Sequence, residues 1–246
     1  MTGTDLYRDM AMFPEVEGSM NLADAIVVLQ SAAMEMIPKS FHRKTVVIHQ
    51  SVRPIKRPPL LKRSFLVSVI GHLRPEKDPF CIVRSLKYVS ATSQLKVIHL
   101  GKAMSSEMSL QAQSMTKTSP RYRWLGEISH AKTLQWLARS HLMVISSIME
   151  GGAHVVSEAI AIGVPVIASN IPGNRGLLGD DYPGYFPVGD EKSLSELLRK
   201  AEEDPIFYHS LCDAIQLRQQ MIQPEIETQS VANLVAGVFK NQNVVD

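Results

Sequence analysis

Six short apolar runs, at residues 25–29, 45–48, 65–70, 96–100, 142–146 and 164–168, are rich in Val, Ile and Leu, and most are apolar throughout instead of alternating. Each is too short for a core helix, and continuous apolar character is the mark of strands buried on both faces of a parallel sheet. Between the runs, apolar residues recur at helical spacing. Residues 79–90 place Cys81, Ile82, Leu86 and Val89 along one face. Ser129 stands as an N-cap before Leu134, Leu137 and Ala138, and Asp190 before Leu194, Leu197 and Leu198. Two further helices fit residues 205–220 and 224–241. Strand and helix in alternation imply right-handed crossovers and a doubly wound α/β sheet.

One segment breaks the rhythm. Residues 51–63 (SVRPIKRPPLLKR) hold three prolines and five basic residues, and read as an interdomain linker, with a long surface loop as the alternative. The linker would separate a partial N-terminal domain (1–50) from a larger one (64–222), followed by a C-terminal helix (223–246). Residues 1–50 hold two good strand candidates, too few for an open sheet with covered faces, so this part is expected to be an incomplete Rossmann-like domain.

Composition narrows the class. Apolar residues make up 45% and charged residues 20% of 246, an ordinary globular balance. A net charge of +2 offers no broad basic field, so no nucleic-acid partner is expected. No apolar run approaches the ~20 residues of a membrane span, and the start is no signal peptide. Two cysteines, Cys81 and Cys212, lie far apart without a partner motif and argue for a reducing, cytoplasmic setting.

Candidate chemistry concentrates where strands end. At 146–153 (SSIMEGGA) a buried strand gives way to a small-residue turn, with a helix beginning near Ala153. That arrangement presents unpaired backbone N–H groups to an anion, and Gly151 and Gly152 let a ligand approach the backbone. Glu150 and Glu158 flank the start of the helix and can face one crevice from different heights. A carboxylate beside a phosphate-binding turn suits sugar hydroxyls; alternatively, Glu150 is a helix-start charge and Glu158 a solvated helix residue. After the strand at 65–70 comes GHLRPEKD, in which Arg74 offers a planar fork and Lys77 a point charge, a pair suited to a diphosphate. Lys77 paired with Glu76 or Asp78 is the plainer alternative. After the strand at 164–168, residues 169–176 (SNIPGNRG) are either a further turn offering backbone donors or an ordinary tight turn. A parallel sheet brings all three loops to one edge. GxGxxG, GxxxxGK[ST], HExxH and GxSxG are absent, and the histidines show no metal-ligand spacing.

Taken together, these residues resemble a known family. Glu150 and Glu158 form E-x7-E, preceded by a strand ending in Ser-Ser and followed by AIGVPVIAS. This resembles the C-terminal, nucleotide-sugar-binding domain of retaining glycosyltransferases of the GT-B fold, the large family 4 type. Gly71, Arg74 and Lys77 fall where that family has its phosphate-binding loop, and Arg123-Trp124-Leu125-Gly126 matches the strand and glycine before the base pocket. Residues 23–31 resemble the last strand and turn of the family's N-terminal domain, and 46–52 its crossing segment. Residues 2–7, 71–74, 150–153 and 181–190 are similar to the bacterial selenosugar synthase group, whose members join selenophosphate to a UDP-linked N-acetylhexosamine.

The resemblance implies roles. Arg74 and Lys77 would hold the donor diphosphate and stabilise charge on departing UDP, supported by backbone N–H groups at Gly151, Gly152 and Ala153. Glu158 would take the ribose hydroxyls, Glu150 the donor sugar, and the backbone near Ile128 the uracil edge. The UDP-sugar is the donor substrate, with no metal or other cofactor expected. Ala153 and Gly176 depart from the family, which often has glycine and glutamate there, and both departures bear on the donor sugar. Thr4 and Asp5 would be remnants of the acceptor side. A nucleotide-sugar-binding remnant without turnover, and a GT-B-fold UDP-sugar epimerase, are the alternatives.

Overall fold

The computed structural model describes residues 1, 3, 5–9, 13–61 and 63–242, so Thr4 lies outside the described residues. The chain builds a small N-terminal unit and a larger α/β unit. The first holds α1 (Pro14–Leu22), β1 (Ile26–Val28) and β2 (Thr45–Val47), the two strands running parallel with Ile26 opposite Thr45. Leu6, Met20, Ile26, Val28, Ala33, Ile37 and Phe41 form its core. Asp5 lies in a short helical turn at Asp5–Asp9.

The larger unit runs β3 (Phe65–Ile70), α2 (Cys81–Ser85), β4 (Leu95–Leu100), α3 (Ser106–Thr118), β5 (Tyr122–Trp124), α4 (His130–Arg139), β6 (Leu142–Ile145), α5 (His154–Ile162), β7 (Val166–Ser169), α6 (Pro172–Leu178), β8 (Tyr185–Phe186) and α7 (Glu191–Glu203). Its six strands are all parallel, in the order β5-β4-β3-β6-β7-β8. β6 and β7 are buried along their whole length, as continuous apolar runs require. α4 packs against α5 and α5 against α6, whereas α2 packs against α7, so the crossovers divide into two layers. The order of connection reverses between β3 and β6. Neighbouring strands there send their following loops to opposite faces, and a crevice opens at their carboxyl ends.

Local signals explain most boundaries. Asp190 accepts hydrogen bonds from the N–H groups of Lys192 and Ser193 and starts α7, whose Leu194, Leu198 and Ala201 are buried. Asp204 caps α8 (Pro205–Arg218) in the same way, with Pro205 in the first turn. Gly163 ends α5 at φ 78°. The helix expected at 79–90 is shorter: after α2 the chain tightens into a 3-10 turn at Leu86–Tyr88. The helix α3, α1 and the two short strands β5 and β8 lie outside the expected runs. α3 carries one fully buried residue, Ala112, so its apolar stripe is weak.

Residues 51–61 form no strand or helix, yet they are fastened to the larger unit. Arg57 donates to the carbonyls of Gly163, Ser140 and His141, and Val52 N–H to that of Ile222. The Ser51 backbone N–H and hydroxyl both donate to Glu227 on α9 (Pro224–Gln242). Among the described residues no helix is long and apolar enough to cross a membrane.

Candidate functional site

A cleft of about 400 Å³ opens at the reversal between β3 and β6. Gly71, Arg74 and Lys77 line it from the loop after β3; Glu150, Gly152, Ala153 and His154 from the loop after β6 and the start of α5; and Ile128 from the loop after β5. Lys77 and Glu150, 73 apart in sequence, thus meet because their strands are neighbours. Two contacts stitch the loops together. Ser146 Oγ donates to the carbonyl of Asp78 at 2.8 Å, and Ile148 N–H to that of Glu76 at 2.8 Å.

Within the cleft Lys77 pairs with Glu150, whose Oε1 also accepts from Ser147 Oγ at 2.6 Å. Glu76 and Asp78 are not its partners. Asp78 is taken by Arg84, whose Nη2 contacts both carboxylate oxygens at 3.0 and 2.9 Å. Arg84 is in turn held by Glu191 at 2.5 Å. Lys77 instead reaches across to the loop after β6. The Arg74 side chain is exposed and makes no hydrogen bond or ion pair among the described residues. One cation is therefore set in place and the other is free to follow an anion.

The remaining expected site residues divide. Gly151 is buried and does not line the cleft; Gly3 packs on it so closely that a Cβ there would fall 2.4 Å from Gly151 N. Gly152 and Ala153 do line it, ahead of α5. Glu158 does not line the cleft. It is 4% exposed and accepts from His130 Nε2 at 2.5 Å, with His154 Nε2 at 3.7 Å. Gln50, His72, Glu127, Thr133 and His154 also line the cleft and were not expected from the sequence. His154 had a signal, as the first residue of a helix beginning in the glycine turn; the others had none beyond lying near strand ends.

The loop after β7 does not join the cleft. Residues from Pro172 form α6, and Ser169 Oγ donates to the Ser147 carbonyl at 2.5 Å. Asn174, fully buried, donates to the Ser169 carbonyl at 2.9 Å. Ser169 Oγ and Asn174 Nδ2 are thus taken up behind the Glu150 turn, while Asn174 Oδ1 is buried without a partner among the described residues. Gly176 faces the N-terminal unit: a Cβ there would fall 1.8 Å from Gln30 Oε1, which leaves no room for the glutamate common in the resembled family.

Beneath the cleft, His99 on β4 is fully buried, with Nδ1 3.0 Å from Tyr122 Oη; burial pushes the imidazole down to about 4, so the ring is neutral at pH 7. Cys81, buried in the core, is pushed up to about 12 by burial and then by Asp78, which makes it an inert thiol. No group of three or more His, Cys, Asp or Glu side chains among the described residues is arranged to hold a metal ion.

The family model of the group 1 glycosyl transferases matches residues 51–223, which include every cleft-lining residue named above except Gln50. The chain belongs to the group 1 glycosyl transferases. A group 1 relative from Escherichia coli, the UDP-Gal:alpha-D-GlcNAc-diphosphoundecaprenol alpha-1,3-galactosyltransferase, is 25% identical over 154 residues, 60% of this chain and 39% of its own length. A GDP-mannose-dependent alpha-mannosyltransferase of Mycobacterium tuberculosis is 27% identical over 176 residues, 69% of this chain and 44% of its own. The matches thus span about two fifths of these relatives' lengths. Among solved structures, Anabaena Alr3699/HepE in complex with UDP and glucose superposes with a TM-score of 0.78 at 18% identity, covering 95% of this chain and 70% of that one. Sucrose-phosphate synthase from Thermosynechococcus elongatus gives 0.77 at 18%, covering 97% and 65%. The GT-B architecture of the group 1 family is therefore the fold of this chain.

Proposed function

We propose that this chain is the donor-binding side of a retaining glycosyltransferase that takes a hexosyl group from a UDP-sugar. The observation that carries the reading is the meeting of Arg74, Lys77 and Glu150 in one cleft beside the start of α5. Two cations and the amide-rich end of a helix offer a diphosphate both charge and directed donors. As the anomeric C–O bond breaks, its electron pair goes to UDP, and Arg74 and Lys77 take up the developing charge. Lys77 would then be shared between Glu150 and the diphosphate, bringing the Glu150 carboxylate alongside the donor sugar. Ile128 offers its backbone to the base, and Glu158 its carboxylate to the ribose. The finer reading is a UDP-linked N-acetylhexosamine as donor and selenophosphate as acceptor, with the new bond formed on the face the UDP leaves. Cys81 and Cys212, both unpaired, suit a cytoplasmic setting.

The test is calorimetric titration with UDP and GDP, followed by product analysis with UDP-N-acetylhexosamine and selenophosphate. UDP is expected to bind and GDP to bind weakly. Arg74→Ala should reduce UDP affinity by about tenfold, the loss of one charge-assisted contact, and leave the unfolding midpoint unchanged because Arg74 is exposed and unpartnered. No UDP binding to the unaltered chain would end the donor reading. UDP binding without transfer would reduce it to a nucleotide-sugar-binding module.

A further inference from the structure

Glu158 sits in the middle of α5 beside Val156, Ser157, Ala159 and Ile160, all buried, and is itself 4% exposed. A carboxylate at that depth needs hydrogen-bond partners to offset its lost hydration. Both side chains that approach it do so at the same oxygen. His130 Nε2 lies 2.5 Å from Oε1, and His154 Nε2 lies 3.7 Å from Oε1. Oε2 has no hydrogen-bond partner among the described residues, and it is not among the sealed, unpartnered atoms of the interior. The restraint falls on one oxygen and leaves the other available.

His130 is the first residue of α4, and its ring is largely in solvent, 68% exposed. Packing of α4 does not call for an imidazole there. Its neighbours on both sides in sequence, Ile128 and Thr133, line the cleft, as does His154 on α5. The His130–Glu158 contact therefore bridges α4 and α5 beside the end of the cleft that Ile128, Thr133 and His154 line.

We infer that His130 is a positioning residue for the nucleotide ribose: it holds Glu158 Oε1, so that Oε2 is presented to the 2′- and 3′-hydroxyls, and the site selects ribonucleotides over 2′-deoxyribonucleotides. A carboxylate free to rotate would lose that orientation entropy on each binding event; one already clamped by an N–H donor loses little. The arrangement needs the proton on Nε2, the tautomer or imidazolium that can donate to a carboxylate. The inference rests on the donor reading given above.

The experiment is calorimetry on the full chain with UDP and 2′-deoxy-UDP, comparing the unaltered protein with His130→Ala and His130→Gln. The unaltered protein should prefer UDP. His130→Ala should weaken UDP by about tenfold, the worth of one charge-assisted hydrogen bond, and should weaken 2′-deoxy-UDP, which keeps only the 3′-hydroxyl, by clearly less. His130→Gln, whose amide can donate from a similar place, should recover most of the loss. Equal weakening of both ligands, or no weakening of UDP, overturns the inference. If the unaltered protein binds UDP without preferring it to 2′-deoxy-UDP, the donor reading stands and the role of His130 falls. If it binds neither, the donor reading itself falls.

Discussion

Two kinds of strand-end loop share this sheet edge, and their composition does not tell them apart. The loops after β3 and β6 line the cleft, whereas the loop after β7, equally rich in glycine and amide side chains, is buried behind them. Strand order makes the difference. β3 and β6 flank the point where the winding reverses, so their loops diverge and leave a crevice; β7 lies one strand beyond, and its loop folds back under the Glu150 turn. Glycine means different things in the two settings. In the buried loop it permits protein to touch protein, as it also does at Gly152, where a Cβ would fall 2.8 Å from Leu29 Cβ, whereas Gly71 stands clear of protein and is available to a ligand.

Gly173 offers the strongest way to break this comparison. A Cβ there would fall 2.0 Å from the Glu150 carbonyl oxygen and 2.9 Å from Glu150 Cβ, and the obstacle is backbone that cannot swing aside. Gly173→Ala should cost about 3 kcal/mol, at the upper end for overpacking, measured by urea unfolding. A loss below about 1 kcal/mol would mean that the buried loop is no tighter than an ordinary turn.

Acid should act from the other side. His99 lies under the cleft with the Gly71 backbone within hydrogen-bonding reach, and burial holds it near 4 against an unfolded value of about 6.5. A lowered folded value means that the unfolded chain binds the extra proton first. The stabilising contribution is thus complete above about pH 6.5 and is lost as pH falls towards 4, by up to about 3 kcal/mol. Unfolding free energies measured between pH 7 and 4.5 should decline along that window. His99→Gln, which keeps a polar partner for Tyr122 Oη, should flatten the decline; an unchanged slope would assign it to other groups.

The sheet was legible because its strands are buried on both faces. Continuous runs such as residues 65–70 and 142–146 cannot serve as one-sided helices, and their positions held to within a residue or two. β5 and β8 were not legible as runs, since Tyr122-Arg123-Trp124 and Tyr185-Phe186 are short and mix exposure with burial. Within the site, Arg74, Lys77 and Glu150 could be named from strand-end position, and they do line one cleft. Their pairing could not. Lys77 pairs with Glu150 across the cleft while Arg84, brought in by α2, occupies Asp78, and no local spacing reveals either pairing. The His130–Glu158 contact was hidden for the same reason: it joins two helices whose proximity depends on the crossover between β5 and β6.

Gly71 gives the smallest change in stability and the sharpest contrast with Gly173. The atom nearest to a Cβ on Gly71 would be Lys77 Cδ at 3.9 Å, an ordinary contact with the end of a flexible side chain, and the backbone there does not have a positive φ. Folding therefore tolerates alanine. By restricting the unfolded chain, Gly71→Ala should leave stability unchanged or raise it by up to about 1 kcal/mol. If phosphate oxygens approach the backbone at this point, the added methyl stands where they must come, and UDP affinity should fall by about tenfold as one close contact is lost. Calorimetry and urea unfolding on the same preparation read both quantities. Stability kept and affinity lost would show that this glycine serves the ligand, as Gly173 serves the fold. Stability and affinity both kept would remove Gly71 from the site and leave the diphosphate to Arg74, Lys77 and the start of α5.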